Sequence, residues 1–367
     1  MRRRQFLQLC LAGAVGSRLA FAFSSDTEFR LKLGNSDTPI FPFRTGEHAW
    51  WGYVDAAGQV LISADNSRII ARFGDFYGGL GAVRYDDGSA WMIDMKGSKR
   101  FPIYPGSSGW NYVLREGLMP NRDSNSAQWG YVDSAGRWVI APSFAFAFPF
   151  SQERAVVAVG QRKGVIDPKG KWVIPASFSR AFAYSDGFLC VQQGKRFAFL
   201  DRNGRPAFGR DFEQASGFQN GLAAVRDANR MGVIDTSGRV VMPFQYEAIW
   251  LGNDPNSPML LKRNGAWEIS NNGRRIPLPP LRIEEPFSCG RAIVHDDLGG
   301  TCHFIGSDGT QLFGMSYWRP EPFVLDRAVV QMGEGGEHAW INQRGEPIFR
   351  WRASTLTALE EQMRMAR

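Results

Sequence analysis

Histidines and acidic residues meet at one place in this 367-residue chain. His295 and His303 flank residues 296–300, whose sequence is Asp-Asp-Leu-Gly-Gly. Imidazole and carboxylate groups together can ligate a transition metal. Asp and Gly are also the residues that form a tight turn between two strands. Because the second explanation needs no further ligand, we predict a turn here and no metal site.

Recurrent aspartates could act as the paired carboxylates of a glycoside hydrolase. Their regular spacing indicates turns instead. The sequence contains no Gly-x-Ser-x-Gly motif and no Cys/His pair at a motif spacing. Beyond residues 1–22, which are predicted below to be an export signal, the cysteines are Cys190, Cys289 and Cys302, an odd number at irregular spacing, although a disulfide between Cys289 and Cys302 stays open. We predict no catalytic residue and no cofactor, and we favour a protein that is not an enzyme.

Three tryptophans depart from the regular pattern described below and are our candidate binding residues. Trp110 lies in an irregular segment, Trp250 precedes a polar loop, and Trp318 follows a regular aromatic position. An exposed indole could stack on a sugar or anchor a peptide. Core packing is the alternative for each of them.

A tandem repeat must position these residues. Residues 129–136 read Trp-Gly-Tyr-Val-Asp-Ser-Ala-Gly, and the last glycine of this motif recurs every 34 to 39 residues, at Gly58, Gly97, Gly136, Gly170, Gly204, Gly238, Gly273, Gly309 and Gly345. An apolar run, then Asp-x-x-Gly, then another apolar run predicts a β-hairpin. Asp opens the turn through its side chain, and Gly supplies the positive φ that closes it.

The remainder of each unit has a fixed frame. A large apolar residue falls eight positions after the glycine, at Phe144, Phe178, Phe212, Tyr246, Leu281 and Tyr317, and another falls fourteen positions after it, at Phe150, Tyr184, Phe218, Phe287 and Phe323. A further strand ends about 21 residues after the glycine. This frame predicts an all-β fold of about nine tandem three-stranded β-meanders, which stack because no unit can bury its own apolar face.

The motif closely resembles the bacterial WG repeat, also called the KWG repeat. The resemblance covers roughly residues 40–351 and is best at 129–264. It implies a non-catalytic β-repeat array that is often exported or surface-associated. The array could close as a propeller-like ring or continue as an open β-superhelix. Nine units exceed the usual four to eight propeller blades, but short turns favour the ring.

Residues 1–22 predict an export signal. Arg3-Arg4-Gln5-Phe6-Leu7 resembles a twin-arginine motif, although a general secretory signal stays an alternative, and a moderately apolar stretch ends at Ala22. This stretch is too short and polar to span a membrane, so we predict a periplasmic or otherwise exported protein that is not an integral membrane protein. Its arginines also explain part of the net charge of +7, and the absence of a basic stripe argues against nucleic acid.

These patterns divide the chain into a signal peptide (1–22), a repeat domain (23–351) and a short C-terminal helix or tail (352–367). We predict a non-catalytic binding or scaffold protein of the cell envelope with a protein or cell-wall glycan partner. A propeller-type periplasmic enzyme acting on a small molecule or glycan is the alternative. Because the regular Asp, Gly and aromatic positions are structural, function should lie where the repeat is irregular, near 104–127, 250–258 and 295–303.

Overall fold

The computed structural model describes residues 38–45, 50–73, 76–104, 112–255, 257–295, 300–333 and 336–352. The predicted signal peptide, the predicted C-terminal helix and Trp110 lie outside these ranges. The described residues form nine antiparallel sheets, five with three strands and four with four strands. The prediction of nine β-meander units is therefore confirmed, with a fourth strand added in four of them.

The first three sheets follow one another along the chain. Sheet 1 contains β1 (Ile40–Thr45), β2 (Trp50–Asp55) and β3 (Val60–Ile62). A four-residue helix, α1 (Ala64–Ser67), leads to sheet 2, which contains β4 (Ile69–Arg72), β5 (Leu80–Tyr85), β6 (Ala90–Asp94) and β7 (Lys99–Pro102). Sheet 3 contains β8 (Met119–Arg122), β9 (Trp129–Val132) and β10 (Trp138–Phe144).

The next three sheets contain the most regular copies of the repeat. Sheet 4 contains β11 (Phe146–Ala147), β12 (Ala155–Val159), β13 (Arg162–Ile166) and β14 (Trp172–Phe178). Sheet 5 contains β15 (Arg180–Ala181), β16 (Leu189–Gln193) and β17 (Arg196–Leu200). Sheet 6 contains β18 (Gln214–Ala215), β19 (Leu222–Asp227), β20 (Arg230–Asp235) and β21 (Val240–Tyr246).

The last three sheets complete the array. Sheet 7 contains β22 (Ala248–Trp250), β23 (Met259–Arg263), β24 (Ala266–Asn271) and β25 (Arg274–Pro277). Sheet 8 contains β26 (Arg282–Ser288), β27 (Arg291–His295) and β28 (Cys302–Ile305). Sheet 9 contains β29 (Ala328–Gln331), β30 (Glu337–Ile341) and β31 (Pro347–Arg352). No helix in the described ranges is long and apolar enough to cross a membrane.

The Asp-x-x-Gly segments are the predicted hairpin turns. The Asp133 carboxylate accepts the backbone N–H groups of Ala135 and Arg137 at 2.9 and 3.0 Å, and Gly136 has a φ of 80°. The same pair of bonds recurs at Asp55, Asp94, Asp167, Asp201 and Asp235. Asn342 uses its amide oxygen in the same way, so loss of the carboxylate in the late copies does not remove the turn.

The glycine at the second position of the motif, occupied by Gly130 of the Trp129-Gly130 pair and by Gly164 and Gly232 in later copies, has a different role. A Cβ on Gly164 would lie 2.6 Å from the Ile174 carbonyl oxygen of the adjacent strand β14, and a Cβ on Gly232 would lie 2.8 Å from that of Met242. Strands β14 and β21 also change register at this point. Glycine is therefore needed because two backbones approach each other closely.

The core lies between neighbouring sheets. In sheets 4 and 6 the aromatic residue fourteen positions after the preceding turn glycine packs on an aromatic residue of the sheet before it: the ring centroids are 4.8 Å apart for Phe150 and Tyr131, and 4.9 Å apart for Phe218 and Phe199. All four of these side chains are buried. Because each seam needs side chains from both sheets, a single unit has no core of its own.

Sheet 9 packs on sheet 1, so the array is a closed ring. The ring centroids of Phe41 and Trp340 lie 4.9 Å apart, those of Phe43 and Phe349 lie 4.8 Å apart, and Trp340 Nε1 donates to the Pro42 carbonyl oxygen at 2.7 Å. The alternative of an open superhelix is therefore wrong, and the propeller-like ring is the observed arrangement.

A repeated hydrogen bond shows that this closing seam is equivalent to the others. Arg154 and Arg291 each donate to the carbonyl oxygen of the residue that follows the Asp or Asn of the next hairpin turn, namely Arg202 at 3.3 Å and Gln343 at 2.8 Å. Arg327 occupies the same position in sheet 9 and donates to Ala56 of sheet 1 at 3.3 Å, although 271 residues separate them. Last and first sheets thus meet in the geometry of sequence neighbours.

Matched substitutions can test closure. Tyr131 Oη donates to the Phe148 carbonyl oxygen at an internal seam at 2.8 Å, as Trp340 does at the closing seam. Since each change leaves a shielded acceptor without its donor, Trp340→Phe and Tyr131→Phe should each lower the free energy of unfolding by about 1–3 kcal/mol in urea titrations. Trp138→Phe, at a 42% exposed position, is the control and should change it by less than about 0.5 kcal/mol. A closing-seam variant as stable as this control would contradict the ring.

Turn carboxylates should make stability depend on pH. The backbone N–H of Arg137 lowers the pKa of Asp133 below the usual 3.8, and the Ser237 hydroxyl together with the backbone N–H of Arg239 does so for Asp235. A folded-state pKa below the unfolded one stabilises the fold above the unfolded value, and this contribution is lost as pH falls through the folded value. Thermal melts should therefore show a melting temperature that is level above about pH 5 and falls below about pH 4.

Replacing the carboxylates provides the control for that prediction. The double variant Asp133→Asn/Asp235→Asn should melt at a lower temperature at neutral pH but lose less stability on acidification, because the amide does not titrate. If acidification lowers the melting temperature of the double variant as steeply as that of the unchanged chain, groups other than these two carboxylates cause the pH dependence.

Candidate functional site

The ring presents two faces that differ in their loops. We call the end that carries the Asp-x-x-Gly turns the turn face. The opposite end carries the short hairpins between β12 and β13, between β16 and β17, and between β19 and β20, and we call it the hairpin face. Each face could bind a partner, so we compare the polar groups that each one leaves available.

Two-residue turns form an inner circle on the turn face. Both central residues have positive φ, as type I′ turns require, at Gln152 and Glu153 (56° and 58°) and at Asp186 and Gly187 (51° and 88°). Asp186 accepts the backbone N–H of Gly221 in the next turn at 2.8 Å. Equivalent bonds join other successive turns, from Gln152 and Glu153 to Glu116, from Gly187 to Gln152, and from Cys289 to Asp254.

These bonds fix where the turns lie. Equivalent residues of two successive turns that are joined through one side chain lie about 7 Å apart. Nine such steps form a closed circle with a radius of about 10 Å. The turns therefore surround the ring axis. Their carboxylates at Glu116, Asp186 and Asp254 accept backbone N–H groups, so they serve as structural clamps and do not converge as acid/base pairs.

The tryptophans predicted to bind are not brought together by any contact in the described residues. Trp250 ends β22 and packs half-buried against Trp267, with ring centroids 5.4 Å apart. Trp318 is half-buried, and its backbone N–H donates to the Gln331 carbonyl oxygen at 3.0 Å. Trp110 lies outside the described residues. Both described indoles keep part of their surface exposed, so their binding role stays a prediction.

Three cations gather on the hairpin face between sheets 4 and 5, and we call Arg162, Lys163 and Arg180 the basic cluster. Arg162 donates to the Ser177 carbonyl oxygen at 3.1 Å, and Lys163 Nζ donates to that of Ser179 at 3.0 Å. Arg162 and Arg180 are exposed. Because the end of β14 and the link to β15 supply the two carbonyl acceptors, the fold itself holds Arg162 and Lys163 next to Arg180.

The charge of this cluster is not neutralised. Within the described ranges no carboxylate lies within 4.0 Å of any of its three members. Burial lowers the pKa of Lys163, and the nearby Arg180 guanidinium lowers it further. The adjacent Arg196 differs, because Asp211 and Asp227 pair with it at 2.6 and 3.3 Å. The cluster therefore suits an external anion better than its neighbours do.

By residue type, the histidines and cysteines could be metal ligands, and the structure shows how they are placed. In the part of the chain that the structure describes, no group of three or more His, Cys, Asp and Glu side chains could hold a metal ion. His295 pairs with Cys302 across β27 and β28, whereas His303 pairs with Val294, so the two histidines flanking the loop lie on opposite faces of the sheet. The two imidazoles cannot therefore share a metal. No disulfide joins Cys289 to Cys302.

Comparisons with known proteins agree with the repeat. Residues 129–162, 164–197, 197–230 and 231–251 match the model of the WG containing repeat. The resemblance seen in the sequence is thus confirmed for residues 129–251. In these WG repeats the glycine and the aspartate have the close-approach and turn roles described above. No curated protein matches the chain.

Solved structures are similar only in general fold. The computationally designed Ika8 protein is 12% identical, with 78% of this chain and 96% of that chain covered and a TM-score of 0.43. A eukaryotic initiation factor is also 12% identical, with coverage of 77% and 89% and a TM-score of 0.48. Apo AztD from Citrobacter koseri is 10% identical, with coverage of 87% and 93% and a TM-score of 0.39.

Sequence analysis missed the basic cluster. Arg162 and Lys163 start one strand and Arg180 starts another, and no run of basic residues joins them. The signal that could have shown it is the hairpin register, since Lys163 lies opposite Phe178, two residues before Arg180. That register contains a bulge, which the sequence does not reveal.

Proposed function

We propose that this chain is a non-catalytic binding protein, exported to the cell envelope, whose hairpin face binds a negatively charged protein or glycan. The observation that carries the proposal is the basic cluster, because three cations without a carboxylate partner keep their full attraction for an external anion. The export part rests on the twin-arginine-like motif and the apolar stretch that ends at Ala22.

The geometry supports binding better than it supports catalysis on the axis. An axial active site would need carboxylates or imidazoles that converge on one substrate atom. The carboxylates in the circle of turns instead accept backbone N–H groups, as Asp186 does from Gly221. A rigid closed ring with a localised charge cluster is well suited to present a fixed docking surface.

Charge reversal on opposite faces tests this function. Lys163→Glu/Arg180→Glu should weaken binding to purified peptidoglycan or to an acidic periplasmic protein about tenfold, and salt should weaken binding of the unchanged chain. The matched control is Lys169→Glu/Lys171→Glu, which makes the same charge change in the turn at the other end of β13 and should bind normally.

The two binding assays distinguish a glycan partner from a protein partner, and cell fractionation tests where the protein is located. Retention on peptidoglycan alone identifies a glycan, and capture of an acidic protein alone identifies a protein. Binding that is equal in both double variants, or no retention in either assay, would contradict the proposal. Immunoblots of cell fractions should find the chain in the periplasm, and its confinement to the cytoplasm would contradict export.

A further inference from the structure

A cysteine, a histidine and a glutamate form a chain of contacts in sheet 8. His295 on β27 lies directly opposite Cys302 on β28, and His295 Nδ1 is 3.6 Å from Cys302 Sγ. On the other side of the imidazole, His295 Nε2 is 3.0 Å from Glu284 Oε2. Glu284 reaches this position from a bulge in β26, where the register shifts between Ile283 and Glu285.

The use of the two ring nitrogens distinguishes this arrangement from a metal site. Ligands of one metal ion point their donor atoms at a shared centre. Here each nitrogen faces a different group, with the thiol at Nδ1 and the carboxylate at Nε2. A carboxylate at Nε2 favours the tautomer that carries its proton there, which leaves Nδ1 able to accept the thiol proton. This is the order of nucleophile, base and orienting group found in activated thiols.

The backbone holds the thiol in place while the imidazole remains accessible. The backbone N–H and C=O of Cys302 both pair with Tyr317, at 2.7 Å each. The Cys302 residue is 5% exposed, whereas the side chains of His295 and Glu284 are 23% and 43% exposed. The thiol thus lies just beneath a partly open imidazole, where small reagents can approach and bulky ones cannot.

The other described cysteines lack this environment. Cys190 is 1% exposed within an aromatic core, and its thiol lies 3.8 Å from the Ala215 carbonyl oxygen. Cys289 contacts the Phe323 carbonyl oxygen, and burial raises the pKa of its thiol. They therefore serve as internal references in the same molecule.

We propose that Cys302 is a reactive thiol that undergoes exchange with small disulfides, with His295 as its base and Glu284 as a positioning residue. The Cys302 thiol transfers its proton to His295 Nδ1, and the thiolate attacks one sulfur of the disulfide. The disulfide S–S bond breaks as the mixed disulfide forms. The departing thiolate takes the proton from His295, so no other oxidant is needed.

Peptide mapping by mass spectrometry after timed exposure to 2-hydroxyethyl disulfide tests the proposal. Cys302 should form the mixed disulfide at least about tenfold faster than Cys289, and Cys190 should remain unmodified. His295→Asn should slow the reaction of Cys302 about tenfold or more. A rate for Cys302 no higher than that of Cys289, or no effect of His295→Asn, would overturn the proposal.

Two further measurements exclude a purely structural explanation. A reactive Cys190 in the His295→Asn variant would show that this change disturbs the fold. In that case Glu284→Gln is the variant that tests the proposal. Among the described residues, Glu284 faces the imidazole and Arg282 lies opposite His295 on β26, with Arg282 Nη2 3.4 Å from Glu284 Oε2. Glu284→Gln should shift the pH of half-maximal rate downward, because the carboxylate no longer stabilises the protonated imidazole, which cannot accept the thiol proton. An unchanged pH profile would remove Glu284 from the mechanism.

Discussion

Packing between neighbouring sheets is the interaction on which the whole structure depends. Each sheet is too small to enclose a core, so its apolar side chains are buried only when another sheet covers them. An open array of such sheets would expose one apolar face at each end. Contact between sheet 9 and sheet 1, through Trp340, Phe41 and Arg327, removes both exposed faces. The ring is thus a consequence of the same burial that builds every seam.

This requirement decides which residues are available for function. The aspartates hold turns, the Trp-Gly glycines allow close strands, and the regular aromatics fill seams, so none of these groups can easily change role. Side chains outside this frame have no such structural role. The basic cluster and the contact chain of Glu284, His295 and Cys302 both belong to that second group. One is a group of positive charges without a carboxylate partner in the described residues, the other is a thiol beside a base, and they lie in different sheets.

Much of the architecture could be predicted from the sequence, because it depends on local chemistry. Asp133 and Gly136 specify their own turn, and the period of the turns predicts the number of sheets. Closure could not be predicted, since the angle between sheets depends on side-chain packing across seams. The pairing of His295 with Cys302 was missed for a related reason: strand register decides which face each residue occupies, and a shift of one residue would have placed His303 there instead.

Hydrogen exchange at the two ends of the chain tests the closed ring most directly. In an open array the terminal sheets fray, because each has only one neighbour. If the ring is closed, peptides covering β2 in sheet 1 and β30 in sheet 9 should exchange within about tenfold of the rates for β13 and β20 in the middle. Exchange at least about 100-fold faster in both terminal sheets than in the middle would contradict closure.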